Sequence, residues 1–286
     1  MNRRKLLVRF LVLGFCFFCH MTYSPATTIH THDKFIAYTD VGHGKPLLLV
    51  HAFPTDKRLW APQQEELKKH FRVITLDLWG FGESSSVDGN AVTMDDYADE
   101  IKLLLEHLQL QKVIIAGESM GGYIALAFLE KYSQQVDGLV LSNTQAIADN
   151  PETKVLREKT AMEVLAQGPD NFIQNFMTKA LSFEAAEQNK AFLHHILTMQ
   201  KSTAIASALR GMAQRNDHSQ LLVKTTCPIL VITSDQDRAI APKQSEDMHA
   251  LAQNSQLVVL VKAGHLSNLE QPQQWNQAVI DRFAAD

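Results

Sequence analysis

In the stretch VIIAGESMGGYIAL, residues 113–126, a serine stands at a corner: Ser119, with Gly117 two residues before it and Gly121 two after. Two readings fit that spacing. A plain turn asks nothing of the hydroxyl. A nucleophile on a sharp strand-to-helix elbow does, because the bend exposes Oγ and sets it over the first N–H groups of a helix, which favour developing negative charge. The flanks favour the elbow. Val113, Ile114 and Ile115 form the continuous apolar run of a strand buried on both faces, and Ile124, Ala125, Leu126, Phe128, Leu129 and Tyr132 recur at helical spacing. A helix folded back tightly on its strand requires small flanks, which Gly117, Gly121 and Gly122 supply.

A hydroxyl is a poor nucleophile near neutral pH unless a base takes its proton and a third group holds that base. In an open parallel sheet such groups come from loops at the carboxyl ends of strands. After the strand-like PILVITS comes DQDRAIAP, offering Asp235 and Asp237 as acids; after LVVLVK comes AGHLSNLEQP, offering His265. The other histidines fit less well. His194 and His195 fall mid-helix, His218 falls in a polar segment, and His30-Thr31-His32-Asp33 has metal-like spacing but lies where disorder is expected. His51 follows a strand directly and is expected to brace its loop. Two main-chain donors suit an oxyanion: Phe53 N–H, from the tight loop His51-Ala52-Phe53-Pro54, and Met120 N–H, just after the nucleophile. Glu118 points under the elbow and is expected to be a buried, hydrogen-bonded brace rather than a second base. The chemistry requires no metal and no organic cofactor.

Positioning these groups takes a sheet. Apolar runs at Leu47–Val50, Val73–Leu76, Val113–Ala116, Gly138–Leu141, Ile229–Thr233 and Leu257–Val261 alternate with helix-like stretches, which predicts βαβ units and a mostly parallel sheet flanked by helices. Tyr97, Ile101, Leu104, Leu105 and Leu108 mark one helix face, and Thr93 with Asp96 makes a capping start. The alternation stops after Leu141. Residues 146–220 read as a helical cap inserted between strands of one core formed by residues 27–145 and 221–286. Met162, Phe172, Phe176, Met177, Phe183, Phe192 and Met199 of the cap are expected to pack internally, with a few lining an apolar pocket over Ser119.

The chain of 286 residues is 45% hydrophobic with a net charge of −4, ordinary for one α/β domain with an insertion. No basic stripe with interleaved aromatics is present, which argues against nucleic acid as a partner. Residues 1–26 differ from the rest. Arg3, Arg4, Lys5 and Arg9 precede the uncharged FLVLGFCFFC, and TYSPA follows, the layout of a secretory signal. Export to a periplasm-like compartment or secretion is expected, with an uncleaved N-terminal membrane anchor as the alternative. Cys16 and Cys19 lie in that leader, so the body keeps only Cys227, which reads as a packed small hydrophobe.

The ordered set HAFP, DLWGFGES, GESMGG, SDQD and GHLSNLEQP resembles the α/β-hydrolase superfamily in its serine-nucleophile branch, over nearly all of the chain from about residue 34. The insert, from NTQAIADNPET to ALRGMAQRNDHSQLL, is similar to lids of 3-oxoadipate enol-lactonase-like and carboxylesterase members. Phe53 and Met120 match the oxyanion pair of bacterial aryl esterases and cofactor-free perhydrolases. The resemblance implies an α/β-hydrolase fold, the chain order Ser119, Asp237, His265, and an ester or lactone as substrate, expected to be small to medium and apolar. Its spacing selects Asp237 over Asp235, and Asn143, where some relatives place the acid, carries no charge. Ala52 and Ser234 stand where glycine is common. Dehalogenases and epoxide hydrolases of this fold use aspartate at the elbow, so serine argues against both. Perhydrolases, acyltransferases and C–C bond hydrolases share the machinery, and a non-catalytic ligand binder on the same fold is the remaining alternative.

Overall fold

Every residue from Val113 to Glu118 is buried, which a strand can be only when both of its faces are covered. The computed structural model describes residues 26–31 and 33–284; the leader expected at residues 1–26 lies, but for Ala26, outside them. Eight strands among the described residues form one sheet: β1 (Thr27–Thr31), β2 (Lys34–Gly42), β3 (Pro46–Val50), β4 (Arg72–Leu76), β5 (Val113–Glu118), β6 (Val136–Ser142), β7 (Ile229–Ser234) and β8 (Ser255–Leu260). The order across the sheet is β1-β2-β4-β3-β5-β6-β7-β8. The last six, which are the six expected from sequence, run parallel, while β2 is antiparallel to both β1 and β4.

Alternation along each central strand builds two apolar layers. Leu48 and Val50 of β3 and Val113 and Ile115 of β5 face one layer. Leu47, Leu49, Ile114 and Ala116 face the other, with Trp60 and Trp275. Helices α1 (Ala61–Leu67), α2 (Met94–His107) and α3 (Met120–Tyr132) follow β3, β4 and β5. The expected capping start of α2 is present: Thr93 Oγ1 accepts the Asp96 N–H at 3.1 Å, and the Thr93 N–H donates to Asp96 Oδ2 at 2.8 Å.

Between β6 and β7 come α4 (Pro151–Gln167), α5 (Asp170–Ala180), α6 (Glu187–Thr198), α7 (Ser202–Ala213) and α8 (Ser219–Lys224), with no strand among the described residues. After β7, α9 (Pro242–Leu251) leads to β8, and α10 (Ser267–Glu270) and α11 (Pro272–Phe283) close the chain. The two ends of the insertion are tied to each other. Asp149 accepts from Arg215 Nη1 at 2.8 Å and from Arg157 Nε at 2.5 Å, and Arg215 also donates to the carbonyls of Ile147 and Met212. The Arg215 guanidinium lies 4.3 Å from the ring centre of Tyr123, on α3.

Two expectations need correction. The His30 segment is not disordered: it forms β1, because the edge of β2 offers free backbone groups, and His30 registers with Phe35. His32 lies outside the described residues, among which no metal-binding cluster occurs. Met162, Phe183 and Met199 do not pack inside the cap but face solvent at 53%, 75% and 59% exposure. Cys227 packs as expected against the core, and burial pushes its thiol up to about 11.

The Asp149–Arg215 pair is almost wholly buried, at 3% and 2% side-chain exposure, so removing one partner strands the other. Asp149→Ala is expected to lower stability by about 3 kcal/mol or more, read from the midpoint of urea unfolding. A loss under about 0.5 kcal/mol would show that the pair does not hold the insertion closed.

Candidate active site

The residues singled out in the sequence meet at the carboxyl ends of adjacent strands. Register puts Val50 of β3 beside Gly117 of β5, and Glu118 beside Ser142 of β6, so the loop after β3, the elbow and the loop after β6 are neighbours. Ser119 sits at the junction of β5 and α3 with φ 54° and ψ −113°, outside the relaxed regions for an L-residue. Such a conformation costs on the order of 1–3 kcal/mol and persists only when its surroundings over-determine it. Here they do. The Ser119 N–H donates to Ser142 O at 2.8 Å, and Thr144 Oγ1 donates to Ser119 O at 2.7 Å. A Cβ on Gly117 would overlap Gly121, and one on Gly121 would overlap the Val50 carbonyl. Both glycines are therefore required by close approach, as expected.

The side chains complete a hydrogen-bonded chain. His265 Nε2 lies 2.8 Å from Ser119 Oγ, and His265 Nδ1 lies 2.9 Å from Asp237 Oδ2. With the proton on Nδ1, which the carboxylate favours, Nε2 is left to accept the serine proton. Ser119 is 8% exposed, His265 2% and Asp237 8%, so the pair of charges a proton transfer creates would be poorly screened. Burial by itself would raise the Asp237 carboxyl. The His265 ring, together with the Ile240 N–H and the Asn143 amide, outweighs it and holds Asp237 below the ordinary carboxylate value. Burial would likewise lower His265, yet the Asp237 charge and hydrogen bond, and more weakly Glu118, hold it above the ordinary imidazole value.

Asp235 takes no part in this chain. Its carboxylate accepts the Ala263 N–H at 3.4 Å, which joins the loops after β7 and β8. His51 braces its loop as expected: Nε2 accepts the Leu78 N–H at 3.1 Å, and Nδ1 lies 3.0 Å from Ala52 O. The neighbouring Asp77 accepts the Lys57 N–H at 2.8 Å and the Lys57 ammonium at 2.6 Å. The DLWGFGES segment thus holds the loop that carries Phe53. Among the described residues, neither the Phe53 nor the Met120 N–H is engaged in a hydrogen bond, and Met120 opens α3.

Several supporting residues were not assigned from sequence. Asn143, set aside there as an uncharged acid, donates to Asp237 Oδ2 at 2.9 Å and to Ser234 Oγ at 2.8 Å, while Ser267 donates to Asn143 Oδ1 at 2.5 Å. Glu270, the acid of GHLSNLEQP, accepts the Gly264 N–H at 2.7 Å and the Ser182 hydroxyl at 2.5 Å, tying the histidine loop to the insertion. Phe172 and Phe176 of α5 lie edge-on to Phe53, with ring centres 5.6 and 6.5 Å away. Glu118 departs from expectation. It is fully buried, as read, but neither carboxyl oxygen makes a hydrogen bond.

Comparison with known proteins agrees with the fold. A family model described as the alpha/beta hydrolase fold matches residues 45–272. A thermophilic esterase from Thermogutta terrifontis, solved with malate bound, superimposes with a TM-score of 0.86 at 36% identity, over 90% of this chain and 97% of that one. The 3-oxoadipate enol-lactonase 2 of Acinetobacter baylyi is 27% identical over 268 residues, 90% of this chain and 97% of its own. Haloalkane dehalogenase 2 of Mycobacterium tuberculosis is 27% identical over 267 residues, 87% of this chain and 91% of its own.

Opposing influences of burial and Asp237 on His265 give a signed expectation. Followed by imidazole NMR, His265 should titrate above the ordinary value of about 6.5 in the native protein. In Asp237→Asn the counter-charge is gone and burial prevails, so the titration should fall below that value. A midpoint unmoved by the substitution would contradict the assignment of Asp237 as the partner.

Proposed function

This chain belongs to the α/β-hydrolase family, and from that premise we propose that it is a serine hydrolase cleaving carboxylic esters or lactones through an acyl-enzyme intermediate. The single observation that carries the reading is the unbroken chain from Ser119 Oγ to His265 to Asp237. As Oγ attacks the substrate carbonyl carbon, its proton passes to His265 Nε2. Asp237 stabilises the resulting imidazolium. The carbonyl oxygen becomes an oxyanion, received by the Phe53 and Met120 N–H groups, donors of a kind each worth a few kcal/mol in the transition state. Collapse expels the alcohol, which takes the proton back from His265. Water then attacks the acyl carbon with the same histidine as base, and the serine is restored.

The similarity to an esterase and to an enol-lactonase supports ester or lactone carbonyls as the target class. The similarity to a dehalogenase does not carry its chemistry here, because the elbow residue is serine. Phe53, Phe172 and Phe176 present three aromatic rings on the oxyanion side, which suits small to medium apolar acyl or alcohol groups.

Ser119→Ala should remove hydrolysis of a short p-nitrophenyl ester by a factor of about 1000 or more while circular dichroism and Tm stay as in wild type. Full turnover by the purified variant would overturn the reading. Asp237→Asn should lose a large part of kcat, whereas Asp235→Asn should keep most of it; the reverse order would reassign the acid.

A further inference from the structure

Glu118 is the last residue of β5 and the chain neighbour of Ser119, fully buried, with no hydrogen bond to either carboxyl oxygen. A buried polar group left unpartnered costs on the order of 1–3 kcal/mol, and a carboxyl in that state next to a reactive centre asks for a reason. Packing does not provide one, since an apolar residue would fill the same space at no such cost. Its surroundings are defined. Sheet register sets it beside Ser142 of β6, whose hydroxyl oxygen accepts the Trp275 indole N–H of α11 at 3.0 Å. The charged groups that act on it are His265, from the loop after β8, and Asp237, from the loop after β7.

We propose that Glu118 is a positioning residue for the His265 base: in its ionised form this buried carboxyl stabilises the imidazolium that forms when Nε2 takes the Ser119 proton. The inference rests on the nucleophile and base proposed above. Burial holds the Glu118 carboxyl up at about 8, with the His265 charge pulling it down and Asp237 pushing it further up. It is therefore mostly neutral at pH 7 and becomes an anion above pH 8. The coupling is mutual, because the Glu118 charge also raises His265. The sign follows. The acid limb of the reaction belongs to His265, whose imidazole must be neutral to accept the Ser119 proton. A second rise then appears as Glu118 releases its proton to solvent and a second anion joins Asp237 in supporting the imidazolium. Glu118 passes no proton to substrate and touches none.

The test is the rate at which a fluorophosphonate modifies Ser119, measured from about pH 5.5 to about pH 10, with Glu118→Gln and Glu118→Asp beside wild type. Wild type should show the acid limb, a neutral plateau and then a rise of about three- to tenfold between about pH 7 and about pH 9.5. Glu118→Gln should keep the acid limb, the plateau and the KM for a p-nitrophenyl ester but lose the rise. Glu118→Asp, which keeps a carboxyl, should retain a rise with a shifted midpoint, and it carries the test if the glutamine variant does not fold. A purely structural role would scale the whole profile by one factor. That outcome, or an undiminished rise in Glu118→Gln, overturns the inference while leaving a labelled Ser119 intact. A wild type that takes no label at any pH overturns both this inference and the nucleophile itself.

Discussion

The 2.8 Å contact between Ser119 Oγ and His265 Nε2 joins two residues 146 positions apart, and nothing local in either segment could bring them together. It depends on the sheet. β5 and β8 are held at a fixed spacing by β6 and β7; Ser119 follows β5 directly, and His265 stands in the loop after β8. The distance therefore rests on a ladder of backbone hydrogen bonds and on the contacts of Gly264 with Glu270 and Ser234, which hold the histidine loop against it. Strain at Ser119 makes the same point. A positive φ at a non-glycine residue survives because the Ser142 carbonyl, the Thr144 hydroxyl and the close packing of Gly117 on Gly121 leave the backbone no alternative.

The electrostatic design is uneven in a way that bears on chemistry. Asp237 is compensated on every side: the Ala239 and Ile240 N–H groups reach Oδ1, and Asn143 and His265 reach Oδ2. Such a carboxylate stays ionised and stays put. Glu118, in the same buried region, receives none of this and is held largely neutral. Two carboxyls near one imidazole are thus pushed in opposite directions by their environments, a recurring way for a site to separate the roles of like groups.

Much of this could be read in the sequence, for physical reasons. A strand covered on both faces must be apolar along its length, so β3 to β7 announced themselves, and β8, though an edge strand, carries an apolar run of its own. The elbow was readable because close packing of strand on helix admits only glycine at fixed offsets. What escaped depended on partners distant in the chain. β1 is short and largely exposed, and β2 mixes buried with half-exposed positions; both pair antiparallel at an edge that a single sequence does not display. Asn143 looked like a failed acid, and its role as the amide that holds Asp237 needs the fold to be seen. The Asp149–Arg215 tie links the two ends of an insertion and leaves no periodic trace. Glu118 was read correctly as buried, but its missing hydrogen bonds are a property of packing alone.

The account turns on a covalent intermediate at one atom. Rapid-quench of the protein with a p-nitrophenyl ester, followed by proteolysis and mass spectrometry, reads that atom directly. An acyl group on the peptide containing Ser119, formed and lost at rates that match turnover, is the predicted result. Turnover with no adduct, or with the acyl group on any other residue, would contradict it.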